Sequence, residues 1–298
     1  MGLGGGGPSR LGRRAQKPQA ESEAVVRAAL EGGVNIFDSS ESYGTEPILG
    51  AVLKDVPRDE VVICSKLHGS TKGHLKTPQE VEGSLDKSLA NLKTDHLDVY
   101  MIHAVAPHRY DAVVPAILPV LEKMKEKGKI RFIGITEIFG GDRGHAMLPR
   151  ALEDENWDVV MVGFNILNSC ARERVLAASR ERGVGVFNMF AVRLALRDLT
   201  ALDEYVRRHI DDGKLTDGAL ELVDLVRGMI DGGECRTLPE LAYRYCLHEP
   251  GITCVLSGTG SVDHLRENLK AAELPPLGTD FRSRLEAIAG GWDHLAAQ

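Results

Sequence analysis

What most narrows the folding options of this chain is a rhythm: short, apolar, β-branched runs recur along it, separated by segments of helical period. The runs occupy residues 34–37, 61–64, 97–102, 130–135, 159–162, 184–187 and 252–256. Each is a nearly continuous hydrophobic stretch, the pattern of a parallel strand covered on both faces. Between them, Thr77, Pro78 and Glu80 form a capping box with proline at the first helical position, and Val81, Leu85, Leu89 and Leu92 follow as one apolar stripe. Thr237 and Glu240 repeat that start. Segments 20–30, 111–127, 171–182 and 261–272 complete the alternation that βαβ units require.

With the glycine-rich opening 2–7 as a short first strand, the strands number eight, so a closed (β/α)8 barrel is expected in preference to an open, doubly wound sheet. Its 298 residues suit one domain spanning 1–298, because such barrels use about 250 residues as a unit. The stretch after the seventh strand is too long for a βα unit. Residues 193–233, rich in charge, Asp and Gly, are expected to form a loop and helical excursion over the barrel mouth.

The net charge is -7, with Lys and Arg scattered singly, which gives no electrostatic footprint for nucleic acid or anionic lipid. The cysteines number five, an odd count without C-x-x-C spacing, as in reduced thiols of a cytoplasmic protein. No apolar signal segment opens the sequence, and Gly6 stands where a myristoylation motif needs Ser or Thr, so no membrane attachment is expected. The sequence assigns no oligomeric state.

Barrels of this kind draw their catalytic groups from the carboxyl ends of strands, so the polar residues that follow each apolar run are the candidates. Asp38 ends the first run, Tyr43 follows in FDSSESYG, Lys66 ends the second in VVICSKL, and His103 ends the third in LDVYMIHA. These types complement one another. A tyrosine is a poor acid or base at neutral pH, an adjacent ammonium favours its phenolate, a carboxylate holds the ammonium, and a histidine orients a substrate oxygen. His68, His74 and His108 lack metal-ligand spacing, so no metal is expected. Residues 4–7 are no phosphate loop, since no G-K-[ST] follows.

Phe37-Asp38-x4-Tyr43-Gly44, Ser65-Lys66 and the run from Leu97 to His103 resemble the signatures of the aldo-keto reductase family, in that family's order and over nearly the whole chain. The resemblance implies a nicotinamide cofactor lying extended across the carboxyl ends and hydride exchange with a carbonyl or alcohol, an aldehyde, ketone or aldose, with Tyr43 as acid or base. NMFAVRLAL resembles the sugar-oxidising branches of the family. An alternative within the resemblance is a nicotinamide-binding regulatory subunit like the potassium-channel β subunits.

By the same resemblance the cofactor contacts fall on Thr136, Glu137, Met161, Asn188, Arg193, Ser257, Gly258, Thr259, His264, Glu267 and Asn268. Glu137 and Met161 replace a usual Asn and Gln, and Asn188 or Met189 stands at a position usually held by an aromatic. Among the last-loop residues only Arg266 bears a permanent positive charge, so NAD is preferred, with NADP as the other candidate. His108, Arg109, Tyr110, Phe139 and the 193–233 excursion are expected to shape the substrate pocket.

Overall fold

The computed structural model describes residues 1–298. Eight parallel strands close on themselves: β1 (Gly2–Gly4), β2 (Ile36–Asp38), β3 (Val62–His68), β4 (Leu97–Val105), β5 (Ile130–Glu137), β6 (Val159–Gly163), β7 (Gly185–Met189) and β8 (Cys254–Ser257). The expected (β/α)8 barrel is therefore the observed one, and the glycine-rich opening does supply its first strand. β1 closes the ring by pairing Leu3 with Phe37 of β2 and with Ser257 of β8. Glycine is needed there for a steric reason. A Cβ on Gly2 would lie 3.0 Å from both Cys254 and Leu256 and 3.2 Å from Ile36, side chains that already fill the interior at that level.

Around the barrel lie α1 (Gln19–Glu31), α2 (Glu46–Leu53), α3 (Pro78–Leu92), α4 (Tyr110–Glu126), α5 (Met147–Glu153), α6 (Ala177–Glu181), α7 (Leu199–Asp211), α8 (Leu220–Asp231), α9 (Leu238–Leu247), α10 (Val262–Lys270) and α11 (Thr279–Ala289). A short antiparallel ribbon pairs Ser70–Thr71 with His74–Leu75 after β3. The helices α7 and α8 make the excursion after β7. They differ from expectation in where they sit, since neither lines the cavities at the barrel mouth. Each has one apolar stripe, Leu202, Tyr205 and Val206 on α7 and Leu222, Val223 and Val226 on α8. α8 packs on α11, while the Tyr205 hydroxyl accepts the Ala297 N–H at 3.2 Å. Only Val192, just before the excursion, and Arg193 and Arg197, at its start, reach the mouth. No helix is long and apolar enough to cross a membrane.

Apolar side chains form two shells. One cluster of 77 buried residues lies between strands and helices, and a second of eight, including Cys64, Val99, Met101, Met161, Phe187 and Leu256, fills the barrel itself. Successive strand residues face opposite sides, so a residue two places on from an interior one also points inward. Ile36 leads to Asp38, Cys64 to Lys66, and Met101 to His103. The residues that pack the barrel therefore aim the reactive ones at its open end.

At the base of α3, Thr77 Oγ1 accepts the Glu80 N–H at 3.3 Å, while Glu80 Oε2 accepts the Thr77 N–H at 2.8 Å. We expect Thr77→Ala to lower the unfolding free energy by about 1 kcal/mol, seen as a lower urea midpoint at unchanged slope. An unchanged midpoint would show that the cap contributes nothing to the barrel.

Candidate active site

Lys66 has no solvent exposure, and its ammonium donates to Asp38 Oδ1 at 2.5 Å and to the Ser39 carbonyl at 2.6 Å. Burial works against that charge, but Asp38 and then Tyr43 outweigh it and hold the Lys66 pKa above the usual lysine range. The Tyr43 ring sits over this pair, its centroid 5.2 Å from Lys66 Nζ. Its hydroxyl lies 3.1 Å from His103 Nε2. Four side chains from the ends of β2, β3 and β4 and from the loop after β2 are thus brought together.

The loop carrying Tyr43 is fixed from several sides. Glu41 accepts from the nearly buried Lys76 at 2.8 and 2.9 Å and from the His68 N–H at 2.8 Å. Behind Tyr43 lies Gly6, where a Cβ would fall 2.6 Å from the tyrosine ring. Gly6 is therefore what lets the ring pack against the segment that follows β1. His103 is aimed by a bulge: the register of β4 on β5 shifts between Ile102 and Val105, and Ala104 takes φ +53° there. The free Ala104 N–H is accepted by Thr136 Oγ1 at 2.7 Å.

Histidine 103 is neutral, because burial first, and then Lys66 and His68, push its pKa well below the ordinary value. Its Nδ1 lies 3.1 Å from Ser40 Oγ, which in turn donates to the Lys66 carbonyl at 3.3 Å. With the serine proton directed to that carbonyl, Nδ1 carries the histidine proton and Nε2 accepts from Tyr43. Tyr43 itself departs from the sequence expectation. Burial lifts its phenol above the usual value, and Lys66 only pulls it partly back, since Asp38 opposes the pull of the ammonium it neutralises. The site therefore holds a protonated tyrosine.

Two cavities open at the mouth. One, of about 330 Å³, is lined by Asp38, Tyr43, Met161, Met189, Phe190, Arg193 and the glycines at and just after the end of β1. The other, of about 430 Å³, is lined by Thr259, His264, Glu267 and Asn268, with Arg197, Arg236 and Lys270. They share Val192, Tyr243 and Gly258, so they form one groove running from Tyr43 to the amino end of α10. Glycines at positions 4, 6 and 258 keep its wall bare of side chains. An extended dinucleotide suits this shape, with one end against the reactive group and the other at a helix whose Ser261 cap accepts the His264 N–H at 3.4 Å.

Strand parity corrects part of the expected cofactor set. Thr136 and Met161 point into the barrel, as do Met101 and Phe187, but Glu137, Asn188 and Ser257 stand one residue off and face the helix layer. Glu137 is fully buried and accepts the Gly163 N–H at 2.8 Å and contacts His145 Nδ1 at 2.8 Å. Asn188 Oδ1 accepts the Phe164 N–H at 3.1 Å. Ser257 Oγ accepts from Tyr243 at 3.0 Å and from Asn268 at 3.1 Å, which positions two groove residues. Arg266 turns away toward Glu31, 3.8 Å distant. Arg197, Arg236 and Lys270, which the sequence did not single out, reach the groove because α9 and the excursion fold beside α10. Among the expected pocket residues, Tyr110 is buried against Asp154, and Phe139 stacks on His145 with centroids 5.7 Å apart.

Comparison with known proteins agrees with the geometry. The sequence profile of the Aldo/keto reductase family matches residues 1–289. The chain is 31% identical to the L-galactose dehydrogenase of Arabidopsis thaliana over 91% of its own length and 85% of the relative's. It is 25% identical to the NADH-specific methylglyoxal reductase of Escherichia coli (strain K12), over 92% of this chain and 90% of that one. The holo form of aldo-keto reductase AKR11C1 from Bacillus halodurans superposes with a TM-score of 0.74 at 23% identity, covering 97% of this chain and 91% of that one. An aldo/keto reductase from Klebsiella pneumoniae, solved with NADP and acetate, gives 0.69 at 21% identity, covering 97% and 90%.

The pair behind β5 has a measurable signature. Burial opposes the charge on His145, but Cys170 and Glu137 together raise its pKa from 6.5 to about 10. A folded value above the unfolded one means that this stabilisation is complete below pH 6.5 and fades as pH climbs toward 10. We expect His145→Ala, which strands the Glu137 carboxylate, to cost about 3–5 kcal/mol near neutrality and to remove that alkaline slope. Urea unfolding across pH reads both, and a variant as stable as the parent at pH 7 would show the pair not to be ionic.

Proposed function

Because the chain belongs to the aldo/keto reductase family, an oxidoreductase family acting with nicotinamide nucleotides on carbonyl compounds, we propose that Tyr43 is its general acid and base toward an aldehyde, ketone or aldose. The observation that carries this reading is the Tyr43 hydroxyl held over a buried Lys66–Asp38 pair at one end of an extended groove. When bound, the nicotinamide supplies or accepts the hydride. Tyr43 gives its proton to the substrate oxygen in reduction and takes it back in oxidation. Lys66 favours the phenolate left behind, Asp38 keeps Lys66 charged, and neutral His103, accepting at Nε2, fixes the orientation of the Tyr43 hydroxyl. The assembled tetrad supports turnover over a purely regulatory role. The relationship to a sugar dehydrogenase supports an aldose as the substrate, and five free cysteines suit a cytoplasmic setting.

Met161 and Arg193 would hold the nicotinamide half, and Gly258, Thr259, His264, Glu267 and Asn268 the adenosine half. NAD is the cofactor this groove suits better. At the adenosine end both arginines are already matched, Arg236 to Glu240 at 2.8 Å and Arg197 to Asp198 at 3.3 Å, and Glu267 adds a carboxylate. A 2′-phosphate would meet those carboxylates, whereas a ribose hydroxyl can donate to one. Fluorescence titration is expected to give tighter binding of NADH than of NADPH, and the reverse order would assign NADP.

Tyr43→Phe is expected to reduce turnover by about 10²–10⁴ while leaving NADH binding in place. Because the phenol is held above its usual value, reduction should be flat from neutrality into mild alkali and fall only as Tyr43 ionises. Lys66→Met removes the group that lowers the Tyr43 pKa, so that alkaline limb should move to higher pH. A limb that stays where it was, or wild-type turnover in Tyr43→Phe, would exclude Tyr43 as the proton carrier.

A further inference from the structure

The cavity around Tyr43 carries positive charge beyond the Lys66–Asp38 pair and beyond the Arg193 assigned to the cofactor. Arg10, Arg14 and Arg193 all line it, while its one carboxylate side chain, Asp38, is neutralised by Lys66 at 2.5 Å. None of the three arginines makes a salt bridge, although the chain as a whole has a net charge of -7. Arg193 is engaged with neutral acceptors, the Ala296 carbonyl at 3.0 Å and Gln298 Oε1 at 2.6 Å, and stacks on Phe190 at 4.2 Å. It stands next to Val192, at the junction of the two cavities. Arg10 and Arg14 have no hydrogen-bond partner and lie on the Tyr43 side, with the Arg10 guanidinium 5.9 Å from the tyrosine ring centroid.

Backbone conformation marks the same segment. Arg10, Leu11 and Gly12 take φ of 45°, 54° and 91°, so two non-glycine residues in succession occupy the left-handed region. Such residues are strained and persist only where their surroundings impose them. Leu11 is fully buried, Lys17 Nζ donates to the Gly260 carbonyl at 2.9 Å, and a Cβ on Gly260 would fall 2.5 Å from Gly12 N. The turn is thus clamped to the loop after β8. What the clamp achieves is the presentation of Arg10 beside the reactive tyrosine.

We infer that Arg10 and Arg14 form an anion-recognition subsite, and that the substrate is a carbonyl or hemiacetal compound carrying a second, anionic group, a carboxylate or a phosphate. This rests on the oxidoreductase reading above. Guanidinium groups suit both anions because they offer paired N–H donors in one plane. A partly enclosed site screens such a contact less than open solvent does.

The test compares matched compounds: a hexose, the hexuronate with the same ring, and the hexose 6-phosphate. Wild-type kcat/KM for one of the anions should exceed that for the hexose by roughly tenfold or more, as a charge-assisted contact implies. Which anion wins identifies the group. In Arg10→Asn, whose new residue tolerates the left-handed turn, and in Arg14→Gln, the ratio should fall toward one through KM, and Arg10→Lys should restore part of it. Direct binding of the three compounds, followed by calorimetry without cofactor, is read in the same proteins. If the protein binds no NADH yet prefers the anion through Arg10, the oxidoreductase reading fails and the subsite stands. If it binds NADH but treats all three compounds alike, the subsite is overturned. It is overturned equally if Arg10→Asn weakens NADH binding and leaves the ratio unchanged, because Arg10 would then serve the cofactor's phosphates.

Discussion

A lysine with no access to water is the demand around which the mouth of this barrel is organised. An ammonium buried there has to be paired and hydrogen-bonded, since an isolated one would be several kcal/mol out of place. Asp38 and the Ser39 carbonyl meet that need, and both come from the end of β2. The partner of Lys66 therefore fixes where the following loop starts, and with it the position of Tyr43. Ser40, the next residue, ties the histidine of β4 to the Lys66 backbone. One buried charge thereby sets the relative placement of three strand ends.

The fold was readable in the sequence because parallel strands covered on both sides cannot avoid being continuous apolar runs. Runs 97–102 and 130–135 mark β4 and β5 almost to their starts. α2 and α5 escaped notice since they are short and begin without a side-chain cap, and the ribbon at 70–75 is too brief to show a period. The candidate site residues were legible because Asp38, Lys66 and His103 stand at or just past the ends of apolar runs and Tyr43 lies in the loop that follows the first. Cofactor contacts were less so, for a reason visible in Glu137, Asn188 and Ser257. Glu137 and Ser257 end their strands and Asn188 stands one residue before an end, but successive strand residues alternate in direction, and the parity had to be counted from an interior neighbour such as Met161 or Leu256. Arg197, Arg236 and Lys270 lay beyond reach altogether, being assembled by tertiary packing of segments distant in sequence.

Charge in the molecule is divided with a purpose that its overall balance conceals. A chain of net charge -7 lines the cavity of its reactive tyrosine with three guanidinium groups, and further along the same groove matches arginine to carboxylate. Net charge describes how such a protein behaves in solution, whereas a concave, partly enclosed surface feels mainly what lines it. Burial adds a second contrast. It holds Tyr43 protonated and His103 neutral, so the two groups that meet at 3.1 Å are both uncharged, beside an ammonium whose charge is locked by its carboxylate.

The strand that closes the barrel is three residues long and bounded by glycines, and its continuation is the wall against which Tyr43 rests. Gly5 N–H donates to the Asp38 carbonyl at 2.7 Å, and Thr45 Oγ1 donates to the Gly5 carbonyl at 3.2 Å. This short seam of the cylinder and the wall behind Tyr43 are consequently joined through the same backbone. Opening of that seam, the easiest sub-global fluctuation for so short a strand, takes the tyrosine out of register at the same moment. Hydrogen exchange at Leu3 and Gly5 would thus report the fraction of time Tyr43 is held in its place.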